Sequence, residues 1–235
     1  MRFMKPVVIT GPSANTGKTE LCCRLLRAFA GTQALKITRF HRESHCPVHG
    51  AHEHADDACD GCDPAPFGFE LVTDQARLRT PGKDTDRFAQ AGASAVLWLR
   101  AAPHVFEYAL SAALKQLDMT RPLLIEGNSA AAVSALDAKV VVIWPQVTRG
   151  VKASVYPALK RCHHLVLVEA GEEPRRRWPP TLRQTCERLG LPQSRLPEPL
   201  WLGAQWWREQ GALPELAQAL QVELGQGLAF EATGP

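Results

Sequence analysis

A short loop near the N-terminus constrains the fold of this chain more than any other feature. Residues 11–19 read Gly-Pro-Ser-Ala-Asn-Thr-Gly-Lys-Thr, between an apolar run, Val7–Ile9, and a helical pattern that begins at Leu21. A strand, a loop ending in Gly-Lys-Thr and a helix, in this order, are the context of a phosphate-binding loop. The loop therefore predicts a first strand that leads into a helix whose N-terminus faces phosphate groups.

The chemistry of such a loop predicts a role for each of its residues. Its backbone N–H groups surround the phosphates of a nucleotide, Lys18 reaches the β- and γ-phosphates, and the Thr19 hydroxyl binds Mg²⁺. Pro12 stands where the first glycine is usual, because Gly11 lies one residue too early. A chance Gly-Lys-Thr at a helix start is the alternative. The predicted nucleotide-binding residues of the loop are Ser13, Ala14, Asn15, Thr16, Gly17, Lys18 and Thr19.

Apolar segments alternate with helical patterns along the chain. Several of the apolar segments are continuous runs, which are typical of strands buried on both faces of a parallel sheet. The alternation predicts a three-layer α/β P-loop fold with a mostly parallel sheet, whose site lies at the carboxyl ends of the strands. The predicted strands are Val7–Ile9, Ala34–Thr38, Phe69–Thr73, Ala95–Leu99, Leu123–Ile125, Val140–Trp144 and Leu165–Val168.

Two regions interrupt this alternation. Residues 40–67 are crowded with His, Cys, Asp and Gly, and residues 171–205 are rich in Pro, Arg and Trp and read as a loop or a small irregular appendage. A final helix is predicted over Leu213–Leu224. We therefore expect a nucleotide-binding domain over residues 1–170 with an insert at 41–67, and an extension, residues 171–235, packed on the same domain.

The insert carries two pairs of candidate metal ligands, Cys46 with His49 and Cys59 with Cys62. Two-residue spacing lets both side chains of a pair bind one ion, and Zn²⁺ accepts such a mixed Cys/His set. Additional imidazoles leave room for another transition metal, since nickel, copper and iron also bind imidazole. The metal is either structural or cargo, and a polar His-rich surface loop is the alternative. The additional candidate ligands are His45, His52 and His54, with Asp56 and Asp57 beside them.

Charge and hydropathy limit the partners. The net charge of +3 is too small to indicate nucleic acid or an anionic membrane as a partner. No segment approaches the roughly 20 apolar residues of a membrane span, and the N-terminus leads directly into the first strand without a signal pattern. We expect a cytoplasmic protein in which the seven cysteines are thiols or metal ligands.

A segment after the insert carries a family resemblance. Residues 81–93 read Pro-Gly-Lys-Asp-Thr-Asp-Arg-Phe-Ala-Gln-Ala-Gly-Ala, the second predicted strand contains Lys36-Ile37-Thr38, and a later one ends in Glu126-Gly127. Together with the loop, these residues resemble the molybdopterin-guanine dinucleotide biosynthesis protein B (MobB) family over roughly residues 5–145. That family can also lack the first glycine of the loop.

The resemblance implies further site residues. It implies that Lys83 and Asp84 close over phosphate, whereas the residues alone equally allow Asp84 and Thr85 to cap a helix. Glu126 ends a buried strand beside the loop strand, where a carboxylate would meet Mg²⁺, with a helix cap or a surface acid as the alternative. GTP rather than ATP rests on the resemblance, because no Asn-Lys-x-Asp motif is present. The chain departs from the family at the insert and at residues 128–132.

Two functions remain open from the sequence. The first is a MobB-like GTP-binding protein, a weak GTPase that assists guanine dinucleotide attachment to the molybdenum cofactor, or its delivery, together with a cofactor-assembly protein. The alternative is a nucleotide-gated metallochaperone that delivers the insert's metal to a client metalloenzyme. A kinase is a third reading, with Arg175–Arg177 as a candidate lid. MobB relatives are often homodimers, and Trp201, Trp206 and Trp207 either supply an interface or close the C-terminal core.

Overall fold

In the computed structural model, which describes residues 4–39, 68–171, 176–208 and 213–224, one sheet of eight strands organises the chain. The strands are β1 Val7–Thr10, β2 Gln33–Arg39, β3 Phe69–Val72, β4 Val96–Ala101, β5 Leu123–Glu126, β6 Lys139–Pro145, β7 Cys162–Val168 and β8 Pro199–Leu202. Their spatial order is β3-β4-β2-β5-β1-β6-β7-β8. All neighbours are parallel except β3 and β4, which are antiparallel.

Helices cover both faces of the sheet. The helices are α1 Lys18–Ala28, α2 Gln75–Leu78, α3 Asp84–Gln90, α4 Phe106–Leu114, α5 Tyr156–Lys160, α6 Pro180–Arg188 and α7 Pro214–Leu224. Successive side chains of a strand point to opposite faces, so Val7 and Ile9 pack with α1, α3 and α7, whereas Val8 packs with α4, α5 and α6. The predicted three-layer α/β architecture is confirmed.

The C-terminal part of the chain is more regular than its composition suggests. Residues 171–205 contain α6 and β8, and β8 extends the sheet by pairing with β7. The expectation of irregular structure there is therefore wrong over these two elements. β8 has four residues, begins with Pro199 and buries only Leu202 fully, so it shows too little apolar periodicity to be recognised.

The topology gathers loops from distant parts of the sequence. β1 lies between β5 and β6, with β2 beyond β5, and these strands are parallel, so their carboxyl ends meet at one edge of the sheet. The loop of residues 11–17 leaves β1 at this edge and leads into α1. Within the described ranges, no helix has the length and apolar character needed to cross a membrane.

The proposed metal ligands lie outside the described residues. Cys46, His49, Cys59, Cys62, His45, His52 and His54 all fall within residues 40–67. The described residues on either side are informative. β2 ends at Arg39, and β3 begins at Phe69, which pairs with Ala101 at the carboxyl end of β4. Both flanks of the segment therefore lie at the sheet edge from which the loop after β1 also leaves.

Candidate functional site

The loop after β1 is shaped by its glycines. Gly17 has φ 92 at the N-terminus of α1, a left-handed conformation that glycine adopts without strain. A Cβ on Gly11 would lie 2.6 Å from Thr16 Oγ1 and 3.0 Å from the Ile143 carbonyl oxygen, so only glycine fits there without a shift. Asn15 also takes a left-handed angle, φ 56, which asparagine tolerates better than most residues. Gly11 therefore lets the backbone pass close to its neighbours, as the first glycine of such a loop does, although it lies one residue farther from Lys18 than is usual.

Asn128 holds the start of this loop. Its Oδ1 accepts a hydrogen bond from the Gly11 N–H at 3.1 Å, and its Nδ2 donates to the Gly11 carbonyl at 2.9 Å and to Ser154 Oγ at 3.2 Å. Directly before it, Gly127 has φ 151° and lies so close to β2 that a Cβ there would lie 2.8 Å from the Ile37 Cβ. No role was predicted for Asn128 from the sequence, although its place directly after Glu126-Gly127 was a signal.

Lys18 folds back over the loop. Its Nζ donates to the Ser13 carbonyl oxygen at 2.6 Å and to Thr16 Oγ1 at 3.2 Å. Burial lowers the pKa of Lys18, and this effect outweighs the nearby carboxylate of Glu126. The Lys18 ammonium is therefore partly desolvated, and the nearby carboxylate does not fully compensate for this, so a bound anion would stabilise its charge.

The most highly charged part of the site is a cluster around Lys36. The Lys36 Nζ lies 2.5 Å from Asp84 Oδ2 and 2.7 Å from Glu126 Oε1, and Thr19 Oγ1 donates to Glu126 Oε2 at 3.0 Å. Glu126 is 2% exposed, so Lys36 and Thr19 take the place of water around its carboxylate group. The structure thus brings together Thr19, Asp84 and Glu126, which the sequence predicted from three separate segments.

The charges of this cluster stabilise one another. Burial opposes the charged form of Lys36, but the carboxylates of Glu126 and Asp84 outweigh it and raise the pKa of Lys36. Burial also opposes the charged form of Asp84, but Lys36 and a hydrogen bond from Thr19 lower the pKa of Asp84. An ammonium between two carboxylates marks a place where the protein stabilises a cation, and oxygen ligands are those that Mg²⁺ prefers.

The described residues offer few other metal ligands. No group of three or more His, Cys, Asp and Glu side chains in the described ranges is placed to hold a metal ion. Asp84 and Glu126 are only two carboxylates, and the Thr19 hydroxyl beside Glu126 provides a third oxygen ligand. Such a set suits an ion that takes its remaining ligands from phosphate and water, as Mg²⁺ does.

The residues of segment 81–93 differ in their contribution to the site. Lys83 is the exposed N-cap residue of α3, without a side-chain capping bond, and it does not line the cavity described below. Its contact with a nucleotide therefore stays a prediction. Asp84 pairs with Lys36, and Thr85 Oγ1 donates to the Leu78 carbonyl, so neither side chain caps the helix. Arg87 pairs with Glu20 of α1 at 2.6 Å, which ties α3 to the helix after the loop.

The loop of residues 13–19 and the cluster around Lys36 line one cavity of about 950 Å³, a size typical of small-molecule sites. The loop of residues 13–19 forms its centre. The end towards β2 and α3 is charged, and the end towards β6, β7 and the segment after β8 is apolar. The charged end contains Lys36, Arg39, Asp84, Arg87 and Glu126; the apolar end contains Pro145, Val168, Ala204, Trp206 and Trp207.

The tryptophans near the C-terminus differ in their surroundings. Trp206 is 4% exposed, its indole packs so closely on Gly17 that a Cβ there would lie 2.8 Å away, and the Arg24 guanidinium lies 5.3 Å from its ring centroid. Trp207 is 53% exposed, with the Arg208 guanidinium 4.7 Å from its ring centroid. Trp201 is partly buried and packs against the core on the other face. Trp206 thus closes the core, as one of the two alternatives expected.

Comparison with known proteins assigns no family to this chain. No family model matches the chain, and no curated protein matches it. Among solved structures, that of HypB from Helicobacter pylori in complex with nickel is similar over 96% of this chain and 92% of that chain, at 12% sequence identity and a TM-score of 0.42. A similarity of this degree assigns no function to the present chain.

Proposed function

We propose that this protein binds a Mg²⁺-nucleoside triphosphate in the cavity and acts as a nucleotide-dependent accessory protein. One observation carries the proposal. The Lys36 ammonium lies between the carboxylates of Asp84 and Glu126, directly beside Thr19 at the N-terminus of α1. A cation position next to a glycine-bearing loop and a helix N-terminus is the arrangement that binding of a metal-nucleotide requires.

The residues divide into phosphate and metal ligands. The backbone N–H groups of residues 13–19 would hold the phosphates, and Lys18 would exchange the Ser13 carbonyl for a phosphate oxygen. Thr19 and Glu126 would hold Mg²⁺, with Asp84 close enough to bind its water shell. The ion, when bound, neutralises charge on the phosphate oxygens. Lys36 favours the ionised form of Asp84 before the metal arrives.

We propose that nucleotide hydrolysis is slow. Asp84 and Glu126 are both paired with Lys36, so neither carboxylate is placed as a general base. Arg87 lines the cavity, but its guanidinium pairs with Glu20. A protein of this kind acts through its nucleotide state more than through turnover.

The first specific role is MobB-like assistance in molybdenum cofactor guanine dinucleotide assembly or delivery, with GTP as the nucleotide. It is supported by the segment of residues 81–93, which carries the resemblance and supplies Asp84 to the cluster. The partner would then be a cofactor-assembly protein. In this role the protein would act as a homodimer, as the resemblance implies.

A second role, nucleotide-gated metal delivery, is favoured by the position of residues 40–67. Thr38 and Arg39 line the cavity immediately before this segment, and Lys36 of the same strand belongs to the charged cluster. A metal held by Cys46, His49, Cys59 and Cys62, Zn²⁺ or another transition metal, would thus be linked through β2 to the nucleotide site. Coupling requires that metal affinity differ between nucleotide states.

Calorimetric titration with Mg²⁺-GTP and Mg²⁺-ATP tests the shared proposal. Lys18→Ala should weaken binding about tenfold or more, equal to about 1.4 kcal/mol. Lys160→Ala changes an exposed lysine of α5 and should leave the affinity unchanged. Wild-type protein that binds neither nucleotide would disprove the proposal, as would Lys18→Ala with full affinity.

Metal content and metal exchange, measured with and without Mg²⁺-GTP, separate the two roles. Tight metal that is indifferent to nucleotide supports the cofactor-assembly role. A metal affinity that shifts about tenfold or more with nucleotide, a coupling of about 1.4 kcal/mol, supports metal delivery. The double variant Cys59→Ser, Cys62→Ser should lose the metal, and full retention would contradict the ligand assignment.

A further inference from the structure

The two ends of the cavity are chemically different. The charged end, towards β2 and α3, contains Lys36, Asp84 and Glu126. The apolar end, towards β6 and β7, contains Pro145 and Val168. The phosphate loop lies between the two ends. A nucleotide held by its phosphates on this loop therefore has to direct its base towards one of them.

We propose that the base of the nucleotide stacks on Trp207 at the apolar end of the cavity. This inference rests on the proposed function and names the subsite that the base occupies. A nucleobase is a flat, neutral ring with a π-face, which stacks well on an indole. The charged end offers it no such surface, and placing a base there would desolvate ionic groups without replacing their partners.

Trp206 fixes the position of this aromatic surface. Its indole is buried against Gly17 and beneath the Arg24 guanidinium, both of which belong to the loop–α1 unit. The segment after β8 is thereby attached to the phosphate loop itself. Since Trp207 follows directly in the chain, its distance from bound phosphates is set by this packing.

Trp207 itself has a surface available for a ligand. It lines the same cavity as the loop and is 53% exposed, whereas Trp206 is 4% exposed. The Arg208 guanidinium lies 4.7 Å from the Trp207 ring centroid, over one face. The opposite face is the one that a base would cover. Because every base has a π-face, this contact adds affinity without selecting guanine over adenine.

Titrations with Mg²⁺-GTP and with Mg²⁺-tripolyphosphate, which has no base, test this subsite. Trp207→Ala should weaken Mg²⁺-GTP about tenfold and leave tripolyphosphate affinity unchanged. Trp207→Phe keeps an aromatic face and should recover most of the GTP affinity. Tyr108→Ala is the matched control, because Tyr108 is a 71% exposed aromatic residue of α4, on the other side of the sheet, and should change neither affinity.

The outcomes separate this inference from the proposed function. If Lys18→Ala weakens both ligands and Trp207→Ala weakens neither, the stacking inference is wrong and the phosphate site stands. Equal loss of both ligands in Trp207→Ala, without recovery in Trp207→Phe, would show that Trp207 supports the cavity and does not stack. A wild-type dimer that dissociates in Trp207→Ala with unchanged GTP affinity would assign Trp207 to self-association instead. If Lys18→Ala affects neither ligand, the proposed function itself fails.

Discussion

At the scale of single residues, Lys36 is the group on which the candidate site depends most. It stands in the middle of a buried strand, where a charged side chain needs strong compensation. Its partners Asp84 and Glu126 lie 48 and 90 positions away in the sequence. Each of the two acids could be proposed from its own motif. The lysine that joins them was part of the family resemblance, but its role could not be proposed, because that role exists only once three distant segments meet.

Replacing Lys36 by methionine should therefore destabilise the fold. The change leaves two carboxylates side by side, one of them 2% exposed, without their cation. Loss of one partner of a buried ion pair costs about 3 kcal/mol in the free energy of unfolding, which urea denaturation at pH 7 would measure. Mg²⁺ should recover part of the loss by supplying the missing positive charge.

The double variant Lys36→Met, Glu126→Gln serves as its control. Removing the uncompensated carboxylate should restore part of the stability, so the effects of the two substitutions should not add. Lys160→Met, on the surface of α5, should change the free energy of unfolding by less than about 0.5 kcal/mol. A Lys36→Met protein as stable as wild type would contradict the role of the cluster.

At the scale of elements, β3 shows how a short antiparallel edge strand is held to a parallel sheet. Glu70 pairs directly across from Arg100 of β4, with 2.7 Å between their side chains, and also with Arg77 of α2. Arg100 is 4% exposed. The apolar run at 69–73 was enough to predict a strand. The antiparallel direction was not predictable, because it depends on these cross-strand partners and on the length of the preceding connection.

This arrangement predicts an acid-sensitive contribution to stability. Hydrogen bonds from Arg77 and Arg100 lower the pKa of Glu70 below its usual value. The stabilisation is fully present above the unfolded pKa of about 4.3 and is lost as the pH falls through the lower folded pKa. Glu70→Gln should reduce the free energy of unfolding at pH 7 by about 1.5–3 kcal/mol.

Urea denaturation between pH 7 and pH 3 tests this expectation. The wild-type protein should lose stability below about pH 4.3 more steeply than Glu70→Gln, which has no carboxyl group to protonate there. Lys5 and Asp137 form an exposed ion pair, so Asp137→Asn should leave both stability and the acid transition almost unchanged. Equal pH dependence of wild type and Glu70→Gln would contradict the assignment.

At the scale of the whole molecule, the strand order is the part of the fold that could not be predicted from the sequence. Continuous apolar runs were sufficient to locate seven strands and the α/β class. They carry no information on neighbours. The strand ending in Glu126 was expected beside β1, but the place of β6 on the other side of β1 and the meeting of Asp84 with Glu126 came only from the folded chain. The position of Trp206 and Trp207 at the cavity was not predicted for the same reason, since it depends on β8 joining the sheet.

The distribution of cysteines gives a prediction for the whole molecule. Cys22, Cys23, Cys162 and Cys186 are free thiols, and burial raises their pKa, to about 11 for Cys23 and about 12 for Cys162. Because the thiolate is the reactive form, these four should react slowly with iodoacetamide in the native protein at pH 7.5. Rapid alkylation should then be confined to Cys46, Cys59 and Cys62, and added Zn²⁺ should suppress it.

Peptide mass spectrometry after brief alkylation reads out each cysteine separately. Denatured protein provides the control, since all seven cysteines should then react at comparable rates. Rapid native labelling of Cys22 or Cys23 would contradict the burial described for them. Rapid labelling of the other three that Zn²⁺ leaves unchanged would contradict the proposed metal ligands.

The register of the sheet edge has a consequence for the connection between β2 and β3. Arg39 and Phe69 both pair with Ala101, from opposite sides of β4, so they stand two strand spacings apart at the same level. Two spacings amount to about 10 Å, a gap that about three extended residues bridge. The chain uses residues 40–68 for it. Closure of the sheet thus accounts for only a small part of this length, and a role beyond connecting two strands has to explain the rest.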